Sequence, residues 1–290
     1  MVILLIVVYG MMPSAFAAFD ISKSGDLTAT EFDEVGFDTT GLVGYWQLNG
    51  NANDSSGQGN NGTIVGATAT TDRFGTANMA MSFNGSNNYI AVASPSGLPT
   101  GTSPRTLALW FKKSNNTVWS KEVVGYGTNG SHNRFAIFLP DATKIGAETI
   151  NNSHYISWTA NTDWNHIVLV LPVGGTKASD VKVYLNGIEG TYVVSDNATL
   201  TTTSSPFWIG ALPTIATGYN FDGSIDEVKI FNRALSAAEI LSMYNHEKGK
   251  FSVGKDGTMK ALEFVEDPTL PVQMRSKKKS LTVKGQLIEQ

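Results

Sequence analysis

The chain contains no cysteine in 290 residues. That excludes disulfides, thiolate metal sites and cysteine nucleophiles. Charge is also scarce. Asp, Glu, Lys and Arg make up 16% of the residues, against roughly a quarter in an ordinary globular chain. The net charge of −4 offers no basic face to a nucleic acid. The one dense basic run, Arg275 with Lys277, Lys278 and Lys279, reads as a solvated turn. Catalytic signatures are missing as well. There is no Gly-x-Ser-x-Gly elbow and no phosphate loop, and His132, His154, His166 and His246 lack metal-ligand spacing. Glycosidase chemistry needs two carboxylates flanking one bond. Here Glu148 stands alone, and adjacent Asp226 and Glu227 are expected on opposite faces of a strand. The expectation is that the chain is not an enzyme.

What remains for the surface is Asn, Ser, Thr and Gly, a composition that suits an extracellular β-protein. Without disulfides, such a protein needs a large core or a bound hard cation for rigidity. The N-terminus supports export. Val2 to Val8 is a continuous apolar run, and Ala15-Phe16-Ala17 is the small-x-small pattern of a signal-peptidase site. Residues 1–17 therefore read as a signal peptide and the mature protein as secreted or held at the cell surface. No Lys or Arg precedes the apolar run, so a retained anchor or a pilin-like assembly helix stays open. The run is short of the about 20 apolar residues of a membrane span, and no later segment could cross a membrane.

Most of the remaining chain reads as β-structure. Short apolar runs alternate with Gly/Asn/Ser/Thr clusters. The runs are Leu42 to Leu48, Ala80 to Phe83, Tyr89 to Val92, Thr106 to Lys112, Phe135 to Leu139, His154 to Trp158, His166 to Leu171, Val181 to Leu185, Phe207 to Ile209 and Glu227 to Phe231. Asn186-Gly187 is a hairpin-turn signal. A single helix is expected near the end: Ser236 and Glu239 form a capping box, with Ile240, Leu241 and Tyr244 as its apolar stripe.

The flanks carry an internal repeat. Phe19–Glu34 aligns without gaps on Phe251–Glu266, with Lys23 on Lys255, Gly25 on Gly257 and Ala29 on Ala261. Each copy reads as strand, Gly-containing turn, strand, and Leu281 to Glu289 is a shorter echo. An isolated two-stranded hairpin is marginal in water, so these units should pair with each other, with the central domain, or with another chain. The organisation expected is signal 1–17, N-terminal β-repeat 18–40, central domain 41–245 and C-terminal β-repeat tail 246–290.

Four stretches of the central domain resemble the laminin-G-like, concanavalin A-like family: Gly44 to Thr63, Ala80 to Ile90, Trp164 to Val168 with Val183 to Gly187, and Phe221 to Ile240. The resemblance implies an all-β fold, a two-sheet antiparallel jelly-roll sandwich with one short C-terminal helix, flanked here by the small β-hairpin repeats. It also places Asp226 beside the first loop.

Asn49 to Gly62 is an oxygen-rich, glycine-rich loop, and Ca²⁺ takes six to eight oxygen ligands. With Asp54 as its only carboxylate the loop needs a second, so Ca²⁺ is expected on Asp54 and Asp226, with oxygens from Asn60 and Asn49. Asn49 departs from an acidic residue often found in the family. The other reading makes Asp54 and Asn60 turn formers. For a sugar, exposed aromatics and hydrogen-bonding side chains are needed, and the candidates are Trp119, Tyr126, Arg134 and Tyr219, with His132, Tyr155 and Trp158 behind them. Two functions are carried forward. One is a calcium-stabilised, non-catalytic module recognising a glycan or an extracellular protein ligand. The other is a structural subunit of a surface filament, sheath or fibre, self-assembled through Phe19–Glu34 and Phe251–Glu266.

Overall fold

The structure, a computed structural model, describes residues 38–115, 121–128, 132–149, 153–204, 206–211 and 219–248, together with the backbone of five short strands in the flanks. The signal segment 1–17 and Trp119 lie outside these residues.

In chain order the strands begin with β1 (Phe19–Ile21), β2 (Leu27–Ala29), β3 (Leu42–Trp46), β4 (Thr63–Val65), β5 (Thr68–Thr70), β6 (Ala80–Asn84) and β7 (Tyr89–Val92). Next come β8 (Arg105–Lys113), β9 (Lys121–Gly127), β10 (Arg134–Asp141), β11 (Lys144–Glu148), β12 (Ser153–Ser157), β13 (Asn165–Leu171) and β14 (Lys182–Leu185). The last are β15 (Ile188–Glu189), β16 (Tyr192–Val194), β17 (Phe207–Ile209), β18 (Asp222–Phe231), then α1 (Ala237–Lys248), β19 (Phe251–Val253), β20 (Thr258–Ala261) and β21 (Val283–Lys284). The chain divides into two compact units, Asp38–Leu241 and Met1–Phe37 with Ser242–Gln290.

The larger unit is the expected two-sheet antiparallel sandwich. One sheet runs β15-β14-β13-β8-β18-β6-β5, with β3 also on β18; the other runs β16-β12-β11-β10-β9-β17-β7-β4. The β8–β13 ladder shows why these residues become strands. Leu107, Leu109 and Phe111 pair with Leu169, Ile167 and Asn165, and all three β8 side chains join the core. Across the core, Trp46 stacks on Phe207 at 4.7 Å, and Tyr126 lies beside Phe207 and Phe135. Each such large apolar side chain contributes about 1.5–3 kcal/mol on full burial.

Local signals are realised where the backbone demands them. Asn186 and Gly187 have φ of 52° and 82°, the left-handed pair that a tight hairpin turn requires. Ser236 Oγ accepts from Glu239 N while Glu239 Oε2 accepts from Ser236 N, closing the capping box of α1. The helical stripe is shifted from expectation: Ile240 and Met243 are buried and Leu241 is exposed.

The sequence reading passed over β9. Its Lys-Glu-Val-Val-Gly-Tyr-Gly has no alternation because a bulge opposite Ile137 and Phe138 leaves Val123 and Val124 both buried. β4, β5, β11, β15 and β16 were also missed; four of them have three or fewer residues.

In the smaller unit both repeats are hairpins. Phe19 pairs with Ala29, Asp20 with Thr28 and Ile21 with Leu27. Phe251 pairs with Ala261, Ser252 with Lys260 and Val253 with Met259. The two copies thus share one register, position for position. The C-terminal copy gains a third strand, β21, on β20.

Candidate functional site

The loop read as a calcium cradle is held by its own hydrogen bonds. Asp54 Oδ1 accepts from Tyr45 N and Ser56 N, both at 2.9 Å, and Oδ2 accepts from Ser56 Oγ and Asn60 N, both at 2.8 Å. Burial pushes this carboxyl up, but the bonds from Ser56, Tyr45 and Asn60 outweigh it and hold it below its ordinary value. Asn60 is buried and fully used. Its amide donates to Val43 O and Ser96 O, its Oδ1 accepts from Ser96 N, and its carbonyl takes the Trp46 indole N–H at 2.8 Å. Asn49 is exposed.

Asp226 belongs to a different cluster. It pairs with Trp110 across β8, and its Oδ2 meets Arg73 Nη1 at 2.5 Å. Arg73 lies over the Trp110 and Phe74 rings at 4.9 and 4.5 Å. The positive charge at Asp226 is therefore an arginine from the β5–β6 loop. A bulge also changes its neighbour. Glu227 has φ of 55°, and the β18–β8 register shifts between Asp226 and Lys229. Instead of facing away from Asp226, Glu227 reaches Lys229 Nζ at 2.8 Å and the Tyr45 hydroxyl at 2.5 Å. Burial pushes Glu227 up, Lys229 and the Tyr45 hydrogen bond pull harder, and the carboxyl falls to about 2. Asp54 and Asp226 thus each have hydrogen-bonding partners of their own, and among the described residues no group of three His, Cys, Asp or Glu side chains stands close enough to share an ion.

The sugar-binding candidates scatter. Tyr126 is a core residue, 0% exposed. Its hydroxyl donates to Pro99 O and accepts from Arg105, whose buried guanidinium also binds the carbonyls of Pro99, Thr100, Gly101 and Ser103. Tyr126 cannot stack on a ligand, because β9 carries it between the sheets. Arg134 is buried and holds Glu122 Oε1 at 2.6 Å. Tyr219 is 40% exposed, and its carbonyl accepts from Glu122 N. Glu148 is not alone: its Oε2 accepts from Tyr155 Oη at 2.5 Å and Ser153 Oγ at 3.0 Å. Burial is the largest influence on Glu122; Arg134 opposes it, Glu148 adds to it, and the carboxyl rises to about 8. His166 is packed on Trp110 at 5.1 Å, as a structural histidine. His132 is half-buried, and Tyr155 and Trp158 are buried.

A cleft marked by no sequence motif lies where the chain passes from β15 of one sheet to β16 of the other. It has a volume of 450 Å³ and is lined by Pro172 to Gly175, Ser179 to Lys182, Glu189 and Tyr192. Tyr192 is its aromatic wall. One ring face stacks on buried His154 at 4.3 Å. The Tyr192 hydroxyl donates to Glu189 Oε1 at 2.9 Å and accepts from Val183 N at 3.1 Å. Burial lowers the His154 pKa, so the ring behind the tyrosine is neutral at physiological pH. Asp180 is held ionised by backbone N–H groups of Thr176 and Lys177. Lys182 Nζ and Glu189 Oε2 stand 3.7 Å apart at the mouth. The cleft presents an aromatic wall fixed in place, with carboxylates, an ammonium and a hydroxyl around it.

The fold defines a two-sheet antiparallel jelly-roll β-sandwich. The family comparison agrees: Laminin_G_3, the concanavalin A-like lectin/glucanases superfamily, matches residues 84–241, just over half of the chain. The chain belongs to this superfamily. No curated protein matches it in sequence. Among solved structures, domain 4 of AbnA, a GH43 extracellular arabinanase from Geobacillus stearothermophilus in complex with arabinotriose, has a TM-score of 0.52 at 20% identity, covering 70% of this chain and 98% of that one. The binding domain of Paraclostridial Mosquitocidal Protein 1 gives 0.55 at 16% identity, over 72% and 53% of the two chains. A mutant of Trypanosoma rangeli sialidase displaying trans-sialidase activity gives 0.54 at 17% identity, over 72% of this chain and 33% of that one. This chain therefore spans about half of the second protein and a third of the third. Among the described residues no helix is long and apolar enough to cross a membrane.

Proposed function

We propose that this chain is a non-catalytic glycan-binding module that works outside the cell, and that it takes a neutral sugar in the Tyr192 cleft. The observation that carries the reading is the ring of Tyr192, backed on one face by His154 and lining a 450 Å³ cleft. A sugar's C–H face packs on such a ring, and its hydroxyls find Asp180, Glu189, Lys182 and Ser179 around it. A glycosidase needs one carboxyl held protonated as the acid. Asp180 is held in the opposite direction by two backbone N–H groups, which favours binding over bond cleavage. Support for a glycan ligand comes from the fold shared with an arabinanase domain solved with arabinotriose. Support for an extracellular setting comes from that enzyme's description as extracellular, the export-like N-terminus and the neutral polar surface.

The test is an array of neutral oligosaccharides followed by calorimetry on each one bound. Tyr192→Ala is expected to weaken binding at least tenfold, equivalent to about 1.4 kcal/mol, while Tyr219→Ala leaves it unchanged. Absence of binding to every neutral glycan, or a Tyr192→Ala protein that folds and binds like the parent, overturns the reading.

A further inference from the structure

The two flanking hairpins suit an interaction that the sandwich does not explain. They share one register, Phe19 on Ala29 in one and Phe251 on Ala261 in the other. Their sheets differ in one respect: β20 carries β21 on its outer edge, whereas its counterpart β2 is hydrogen-bonded only to β1 among the described residues. The same edge is filled in one copy of the repeat and open in the other. Among the described residues no ladder joins the two hairpins. A two-stranded sheet alone is marginal in water, and an open strand edge is a template for another strand.

We propose that the N-terminal hairpin is an acceptor for a second copy of this chain, its β2 edge taking the open edge of that copy's C-terminal sheet by strand addition. Three features favour a second copy over an unrelated partner. The donor and acceptor are copies of one sequence unit, with Lys23, Gly25 and Ala29 matched by Lys255, Gly257 and Ala261. They sit at opposite ends of the sequence. Joining one chain's N-terminal unit to the next chain's C-terminal unit also extends the array that the third echo begins within one chain. The contact is head-to-tail, because the two surfaces come from different segments of the chain. Heterologous contacts close into rings or run on as filaments. The interaction is independent of any sugar bound by the sandwich.

Two full-length variants test it. In the first, Leu27→Pro with Ala29→Pro removes backbone donors from β2. In the second, Val283→Pro with Lys284→Pro does the same to β21, the outer strand of the C-terminal sheet. Multi-angle light scattering should show the parent at multiples of the single-chain mass, rising with concentration. Each variant alone should stay at the single-chain mass, and the two mixed should give a heterodimer of twice that mass, since one retains a donor and the other an acceptor. An unchanged melting temperature of the sandwich shows that the variants are folded. A parent that is a single chain at every concentration overturns the proposal. So do variants that polymerise like the parent, or a mixture that stays at single-chain mass.

Discussion

Replacing Asp54 separates a hydrogen-bonded latch from a cation site. Four donors converge on its carboxylate, two on each oxygen. Hydrogen bonds to a charged group contribute about 1.5–3 kcal/mol each when buried. This carboxylate is only half-buried, and solvent competes for it. Asp54→Ala is therefore set at about 3 kcal/mol in total, a fall in melting temperature of roughly 6–12 °C for a domain of this size. Asp54→Asn keeps the Oδ1 acceptor, loses the Oδ2 one, and should cost about half as much. The sign with pH follows from the lowered pKa. The folded state holds Asp54 ionised below its ordinary value of 3.8, so the stabilisation is complete above that value and is lost as the pH falls through the lower folded one. The gap between parent and Asp54→Asn should thus be constant at neutral pH and close in strong acid. The assay is differential scanning calorimetry of both proteins with EDTA and with excess CaCl₂. A native-state ligand must raise the melting temperature, so the latch account expects the parent to melt alike in both. A parent that loses stability in EDTA, together with an Asp54→Asn protein that does not, refutes it and restores a cation to the loop.

Arg73→Met should destabilise by about 3–5 kcal/mol in guanidinium titrations by leaving the Asp226 carboxylate buried without its partner, whereas Arg73→Met with Asp226→Leu should recover most of the loss; equal losses in the single and double variants would show that the pair is not the source. Glu122 has a folded pKa raised to about 8, so its contribution is complete below the unfolded value near 4.5 and is lost as pH rises through 8. Melting temperature should accordingly decline less between pH 5 and 8.5 in Glu122→Gln than in the parent, and parallel profiles would mean that Arg134 keeps Glu122 charged throughout. Asp226, raised to about 7 mainly by burial and against Arg73, acts in the same direction and leaves a residual slope in both proteins.

The residues that announced the fold were those whose environment is set by their neighbours in sequence. The alternation of β8, the Asn186-Gly187 turn and the Ser236/Glu239 cap are each decided within a few positions. β9 escaped because its bulge and two glycines erase the period that marks a strand, and Tyr126 on it reads from sequence as a candidate ligand-binding aromatic instead of a core residue. Arg73 escaped for a different reason. Its meaning comes from Asp226, 153 positions away, and no local pattern distinguishes it from any other loop arginine. The Tyr192 cleft is likewise assembled by four separate segments and has no motif of its own. Asn60 braces Val43 and Ser96 through three hydrogen bonds of its side-chain amide, contacts 17 and 36 positions away that no local pattern marks.

The ends of the sandwich meet at one corner. Arg233 binds Asp38 at 3.0 Å and Thr40 O at 2.6 Å, Asn232 N donates to Gly41 O at 2.8 Å, and Leu42 at the start of β3 pairs with Phe231 at the end of β18. Force applied to the two ends of the sandwich would act at this corner. Pulling there would peel the β3–β18 ladder one bond at a time instead of shearing it all at once, so the Arg233 clamp is the first element to bear load. While it holds, force applied at Asp38 and Phe231 crosses a few residues, and the rest of the β-sandwich is not stretched.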